Sequence, residues 1–166
     1  MQRSFRTRYE RAAVFYVLNR SSFSGATLSG GMSLGHPRFT PSSIQRIRDF
    51  NAGGLLTVRR MDFQQSIPLH NNTLLYLDPP YLIKHGLYGK NGDAHKGFDY
   101  DGLAELLRTR DGWIFSYNDC QAVHELYKGY IFLYPDWKYG MSKDKESKEV
   151  LILSHDIAKK TNLAEA

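Results

Sequence analysis

At 166 residues and 42% hydrophobic content, the chain has enough apolar surface for a single domain and too much for disorder. No apolar run reaches membrane-spanning length, Met1-Gln2-Arg3-Ser4 does not open a signal peptide, and the single cysteine, Cys120, excludes an internal disulfide and a cysteine-based zinc site. A formal charge of +5 and a pI of about 9.3 would attract nucleic-acid phosphates, although the ordinary reading of such a charge is solubility; a cytoplasmic location is expected.

In chain order, the spacing of Tyr9, Ala12, Ala13 and Tyr16 predicts a helix over 9–18. Arg3, Arg6, Arg8, Arg11 and Arg20 make this end basic, which reads equally as a solvated face or as phosphate contact. Phe23 to Arg38 is rich in glycine and serine and reads by itself as a surface loop. Thr40-Pro41 is a helix start, with Ile44, Ile47 and Phe50 as the expected buried stripe and Gly53-Gly54 as the stop. Leu55 to Val58 is predicted to be a strand ending near Asp62, and Thr73 to Leu77 a buried strand. A long basic stretch from Leu82 to Gly97 follows, with Lys84, Lys90 and Lys96; His85 and His95 lack the acids that a metal site would add. Leu103, Leu106 and Leu107 mark a helix, Trp113 to Tyr117 a strand, and Val123, Leu126 and Tyr127 a second helix closed by Gly129. Tyr130 to Tyr134 and Glu149 to Leu153 are expected as antiparallel strands, with Lys143 to Lys148 as a solvated tip.

The chemistry concentrates where the Thr73–Leu77 strand ends, in Asp78-Pro79-Pro80-Tyr81. Two prolines forbid ladder pairing and stiffen the backbone, so the strand end presents a carboxylate, a fixed carbonyl and a ring to the crevice where α/β sheets bind ligands. The exocyclic amino group of adenine is a poor nucleophile because its lone pair is delocalised. Acceptors on both its protons, Asp78 and the Pro79 carbonyl, would draw the nitrogen toward tetrahedral geometry. Tyr81 offers a stacking face worth about 1–3 kcal/mol, against the few kcal/mol that extruding a base costs. Asp-Pro alone would be ordinary turn chemistry.

Leu77-Asp78-Pro79-Pro80-Tyr81 resembles the catalytic motif of the Dam-like, adenine-specific DNA methyltransferases. Asn19-Arg20-Ser21-Ser22-Phe23-Ser24-Gly25 resembles the segment where that family begins its DNA-recognition region, and Met61-Asp62-Phe63 the acid–aromatic pair that contacts the adenine of S-adenosylmethionine. Phe115-Ser116-Tyr117-Asn118-Asp119 resembles the next strand end; Lys138-Tyr139-Gly140-Met141 and Ser147 to Ile152 resemble the closing hairpin. The matches run in the family's order from about Arg11 to Leu153. The resemblance implies an α/β, Rossmann-like S-adenosylmethionine-dependent methyltransferase sheet with strand order 3-2-1-4-5-7-6. It also implies a short DNA-recognition insert at about 19–40, and methyl transfer by in-line displacement with no covalent enzyme intermediate and no metal. By the same resemblance Asp78, Pro79, Pro80 and Tyr81 are catalytic, and Asp62, Phe63 and Asp78 hold the cofactor. Asn19, Arg20, Ser22, Phe23, Arg38, Lys84 and Tyr139 are the expected contacts to double-stranded DNA. Trp137 is a further candidate for the base pocket.

One departure accompanies the match. The family's Phe-x-Gly-x-Gly cofactor turn has no counterpart: Ser29-Gly30-Gly31-Met32 and Ala52-Gly53-Gly54-Leu55 neither follow a strand nor open a helix. The expected fold is therefore a sheet incomplete at its N-terminal side, the C-terminal part of a methyltransferase catalytic domain spanning residues 1–166. Three functions stay open: an adenine methyltransferase, a non-catalytic DNA-binding remnant, and one half of a split enzyme completed by an upstream polypeptide. The unpaired strand edge would leave the isolated chain marginally stable or oligomeric.

Overall fold

The computed structural model describes residues 7–22, 33, 35–81, 97–135 and 149–161, which fall into two units. Phe23, Lys84, Tyr139 and Trp137, together with most of the expected recognition insert, the histidine-bearing basic stretch and the hairpin tip, lie outside the described residues.

The unit formed by residues 1–59 and 83–97 contains helices α1 (Arg8–Ser21) and α2 (Pro41–Arg48). Both begin with a reciprocal capping box. Thr7 Oγ1 accepts from Glu10 N–H while Glu10 accepts from Thr7 N–H, and Thr40 pairs with Ser43 in the same way. Such a cap contributes about 1 kcal/mol, and Pro41 at the first helical position costs nothing because its missing N–H would have had no partner. The expected apolar faces are not buried. Of Tyr9, Ala12, Ala13 and Tyr16, only Tyr16 is half-buried, its hydroxyl donating to the Ser43 carbonyl at 2.7 Å. Ile44, Ile47 and Phe50 are exposed, because no described apolar layer covers them. Helix α2 ends at Asp49, ahead of Gly53 and Gly54, which instead take the left-handed conformation of a separate turn.

The predicted strand at Leu55–Val58 does not form. These residues pair with no described strand, and Leu55 is 94% and Val58 83% exposed. A strand exists by virtue of its neighbours; the family's order flanks this segment with strands that have no counterpart among the described residues, so its backbone stays in water.

The second unit, residues 60–82 and 98–166, holds the sheet. Its elements are α3 (Phe63–Leu69), β1 (Leu75–Leu77), α4 (Tyr100–Arg108), β2 (Trp113–Asn118), α5 (Gln121–Leu126), β3 (Ile131–Leu133), β4 (Glu149–Leu153) and α6 (His155–Lys160). The strand order is β1-β2-β4-β3, with β1 parallel to β2 and β4 antiparallel to both its neighbours. This is the 4-5-7-6 portion of the sheet that the resemblance implied.

Apolar alternation explains the layer beneath it. Trp113, Phe115 and Tyr117 point to one face of β2 and join Val150 and Ile152 of β4. Leu103, Ala104 and Leu107 of α4, with Val123 and Tyr127 from α5 and its end, close the core. Trp113 also donates its indole N–H to the Leu107 carbonyl at 3.0 Å, so its polar atom is satisfied on burial.

Strand β1 is shorter and wetter than predicted. Only Leu75–Leu77 pair, and Leu74 and Tyr76 are 62% and 64% exposed. It lies at the sheet's edge, so its outer backbone groups and one face have no described neighbour. Its position is fixed at the start instead. Leu75 N–H donates to the Gly112 carbonyl at 2.9 Å, and Gly112, at φ 73°, donates its own N–H to Asp156 Oδ1 at 2.8 Å. That left-handed backbone favours glycine and turns the chain into β2 beside β1.

Candidate active site at the carboxyl end of β1

Asp78-Pro79-Pro80-Tyr81 leaves β1 at its carboxyl end, as the sequence predicts, and lies outside any helix or strand. The Tyr81 ring is half-buried. Its hydroxyl donates to Glu149 Oε1 at 2.7 Å, and its ring meets Tyr117 edge-on at 5.5 Å between centroids. Glu149 reaches this point because the β2–β4 register sets it opposite Asn118, at the carboxyl end of β2.

The electrostatics follow from this convergence. Partial burial, and then the Glu149 charge, raise the Asp78 carboxyl above its ordinary value. Burial pushes the Tyr81 hydroxyl far above its usual range, reinforced by the bond to Glu149 and by the charges of Glu149 and Asp78, and slightly opposed by Ser116. The site thus keeps a neutral, anchored phenol beside two acids.

Asp62 and Phe63 lie in the same unit, in a different role from the predicted strand end. Asp62 caps α3, its Oδ1 accepting from Gln64 N–H at 2.9 Å, and its residue remains exposed. The exposed backbone before it never becomes a strand, so the acid starts a helix instead. Phe63 packs against Phe98 at 5.2 Å, Phe98 against Tyr100 at 4.9 Å, and Tyr100 against Tyr117 at 6.4 Å. A continuous row of rings therefore connects Phe63 to Tyr81. Within it the Tyr100 hydroxyl is buried and finds no hydrogen-bond partner among the described residues, and the same holds for Asn118 Oδ1 at the end of β2. Unsatisfied buried polar atoms beside aromatic faces are what a planar, hydrogen-bonding ligand would complete.

Of the expected DNA contacts, four are described, all in the other unit. Arg38 Nη2 donates to the Asn19 carbonyl at 2.9 Å and to the Ser22 carbonyl, drawing together the two ends of the segment that resembles the recognition region. Ser22 is buried, its hydroxyl donating to the Asn19 carbonyl at 3.0 Å. Arg20 lies over the Tyr16 ring at 5.7 Å. Asn19, Ser22 and Arg38 thus form one cluster, with Arg38 turned onto backbone carbonyls.

Sequence reasoning did not single out Glu149, Tyr100 or Asn118 as site residues. Glu149 stands 68 positions from Tyr81, and the β2–β4 register brings them together. The available signal was a lone acid at the head of the apolar run Val150-Leu151-Ile152-Leu153.

The family model for D12 class N6 adenine-specific DNA methyltransferases matches residues 2–141, most of the chain and all of Asp78-Pro79-Pro80-Tyr81. The chain belongs to that family. No curated protein matches it. Membership accounts for the mixed α/β sheet of an S-adenosylmethionine-dependent methyltransferase. Among the described residues of this D12-family chain, no helix is long and apolar enough to cross a membrane, and no cluster of acids, histidines and cysteines has the makings of a metal site.

Proposed function

We propose that the chain transfers a methyl group from S-adenosylmethionine to the exocyclic amino group of adenine in double-stranded DNA. The observation that carries this reading is the convergence of Asp78 and an anchored Tyr81 at the carboxyl end of β1, in a D12-family chain. Asp78 and the Pro79 carbonyl accept hydrogen bonds from the two N–H groups of the amino nitrogen and restore its nucleophilic character. Pro80 keeps the backbone extended so that the carbonyl stays aimed, and Tyr81 stacks on the flipped base.

The residues present fit the cofactor in kind. The exposed Asp62 carboxylate and the Phe63 ring hold its adenine, and the buried Tyr100 hydroxyl has hydrogen-bonding capacity left over. When bound, S-adenosylmethionine supplies an electrophilic methyl on a sulfonium centre; the acids Asp78 and Glu149 suit that positive charge. Asn19, Arg20, Ser22 and Arg38, with Phe23, Lys84 and Tyr139, are assigned to DNA, through an insert at about 19–40. Arg38 acts there by closing the neck of the insert.

A second reading is favoured by the open edge of β1. With Tyr76 exposed and no described strand beside it, the sheet could be completed by an upstream polypeptide carrying the cofactor turn, which makes this chain one half of a split enzyme. A non-catalytic DNA-binding remnant would have the same edge. Purified chain incubated with DNA and methyl-labelled S-adenosylmethionine, beside Asp78→Ala, separates them. Label on adenine that disappears in the variant supports the enzyme. DNA binding without label refutes autonomous catalysis and points to the half-enzyme or the remnant.

A further inference from the structure

We propose that Glu149 is a positioning residue of the adenine site, holding the Tyr81 ring in its stacking pose through the bond to its hydroxyl; this rests on the methyl-transfer reading above.

The geometry is specific. Tyr81 follows two prolines beyond the end of β1, outside any helix or strand. Contacts from elsewhere in the sheet fix its side chain: the Tyr117 ring and the Ser116 hydroxyl from β2, and the carboxylate of Glu149 from β4, with Oη to Oε1 at 2.7 Å. A short bond to a charged acceptor is among the stronger hydrogen bonds a protein forms. It restrains the ring at its far end, while Tyr117 restrains its edge. A ring held before the base arrives does not have to be ordered during binding, so stacking is not diminished by lost rotamer freedom.

The same carboxylate has a second effect. Among the described residues, the Glu149 charge from β4 adds to burial in holding Asp78 toward its protonated form, and the Asp78 charge acts in turn on the Tyr81 hydroxyl. A protonated Asp78 has one acceptor oxygen fewer for the amino protons. Glu149 therefore favours catalysis through Tyr81 while moving the acid limb of activity toward neutral pH. A residue with only a structural role at the head of β4 would do neither.

The test compares Glu149→Ala, Glu149→Gln, Tyr81→Phe and the Glu149→Ala/Tyr81→Phe double variant, each as full chain. Methyl transfer to adenine is followed across pH, and the Tyr81 hydroxyl by NMR of tyrosine labelled at Cζ. Glu149→Ala and Tyr81→Phe should each slow transfer about tenfold, the effect of losing one charge-assisted bond, and the double variant should be no slower than either. Glu149→Gln keeps an acceptor and should recover most of the rate, with its acid limb displaced to lower pH. Multiplying effects, or an acid limb unmoved in Glu149→Gln, would overturn the proposal. The NMR arm is independent of turnover: Tyr81 should stay un-ionised to higher pH in the wild type than in Glu149→Ala. An unchanged titration with an active wild type overturns the positioning role alone. A shifted titration with an inactive wild type overturns the methyl-transfer reading, and the role in catalysis with it.

Discussion

Arg110 offers a direct test of how the active strand is held. Its guanidinium sits under the connection between α3 and β1, with Nη1 donating to the carbonyls of Ile67 and His70 at 3.4 and 3.2 Å and Nη2 to Asn71 and Thr73 at 3.5 and 2.7 Å. The connection turns back from helix to strand; the Ile67 carbonyl also accepts from His70 N–H, and the His70 carbonyl from Thr73 N–H and Oγ1, so the Arg110 bond that counts most is the one to Thr73. Arg110→Met keeps much of the apolar stem and removes the donors. The 2.7 Å bond to Thr73 is charge-assisted and is assigned about 1.5 kcal/mol, the low end of its class because Arg110 is only half-buried. The bond to His70 adds about 0.5 kcal/mol, and the two near 3.5 Å, at the limit of bonding distance, add little. The expected loss is about 2 kcal/mol. With a urea dependence of about 2 kcal/mol per molar, the midpoint of the unfolding of this unit falls by about 1 M. Urea titration followed by tryptophan fluorescence reads it, since Trp113 is fully buried in the core. Hydrogen exchange at the Leu75 amide, bonded to the Gly112 carbonyl, should accelerate along with it. A midpoint unchanged within about 0.2 M would refute the reasoning and mean that water serves these carbonyls equally well.

Asp78→Asn keeps shape and weakens the acceptor, so it should lower methyl transfer by about 100-fold with folding intact; unchanged turnover would remove Asp78 from the mechanism. Because burial and Glu149 raise the Asp78 carboxyl, and only the ionised form accepts both ways, turnover in the wild type should rise with pH through that raised value; a rate flat across the acid range would contradict it. Asp156 behaves oppositely. Desolvation alone would raise it, but bonds from Ser154 Oγ, Gly112 N–H and Lys160 bring it down to about 2, from an ordinary 3.8. Its ionised form is thus favoured by folding, and about 1–2 kcal/mol of stability present above pH 3.8 is lost as pH falls through about 2. Asp156→Asn should destabilise at neutral pH and become neutral in effect at the acid end; equal destabilisation at both would refute the linkage. Finally, the open β1 edge should make the chain self-associate with concentration, and Tyr76→Lys should shift sedimentation toward the monomer; a monomeric wild type at all concentrations would refute it.

The elements that the sequence made legible are those whose signals are local. Thr40-Pro41 encodes its own cap and first turn, and the structure forms both. Leu103, Leu106 and Leu107 carry a helical period, and β2 and the β3–β4 pair carry apolar runs between turn residues; all take the predicted form. Helix α3 was hidden because seven residues ending around Pro68 are too few to show a period: the sequence offers one i, i+4 apolar pair, Phe63 and Ile67, and the capping acid Asp62. Its start there also removed the predicted strand end. Helix α6 was hidden for a related reason: Ser154, at its N-cap position, gives its hydroxyl to Asp156 and accepts from Trp113 N–H, so its signal is tertiary.

Leu55–Val58 and Tyr76 expose the deeper limit. Their composition reads as strand, yet whether such residues pair, and whether their side chains meet a core, is decided by neighbours that no local window contains. The candidate site divides along the same line. Asp78, Pro79, Pro80 and Tyr81 are contiguous, so proline stiffness and strand-end geometry could be argued from the string itself. Glu149 depends on the register Asn118↔Glu149, and a slip of one residue would turn its side chain to the opposite face and leave Tyr81 without its acceptor. The register in turn is fixed by Val150 and Ile152 reaching the core that Phe115 and Tyr117 line. Apolar packing thus chooses where the carboxylate goes, which makes the Tyr81–Glu149 bond a consequence of the hydrophobic pattern of β4 and ties the chemistry of the site to the burial that holds the sheet together.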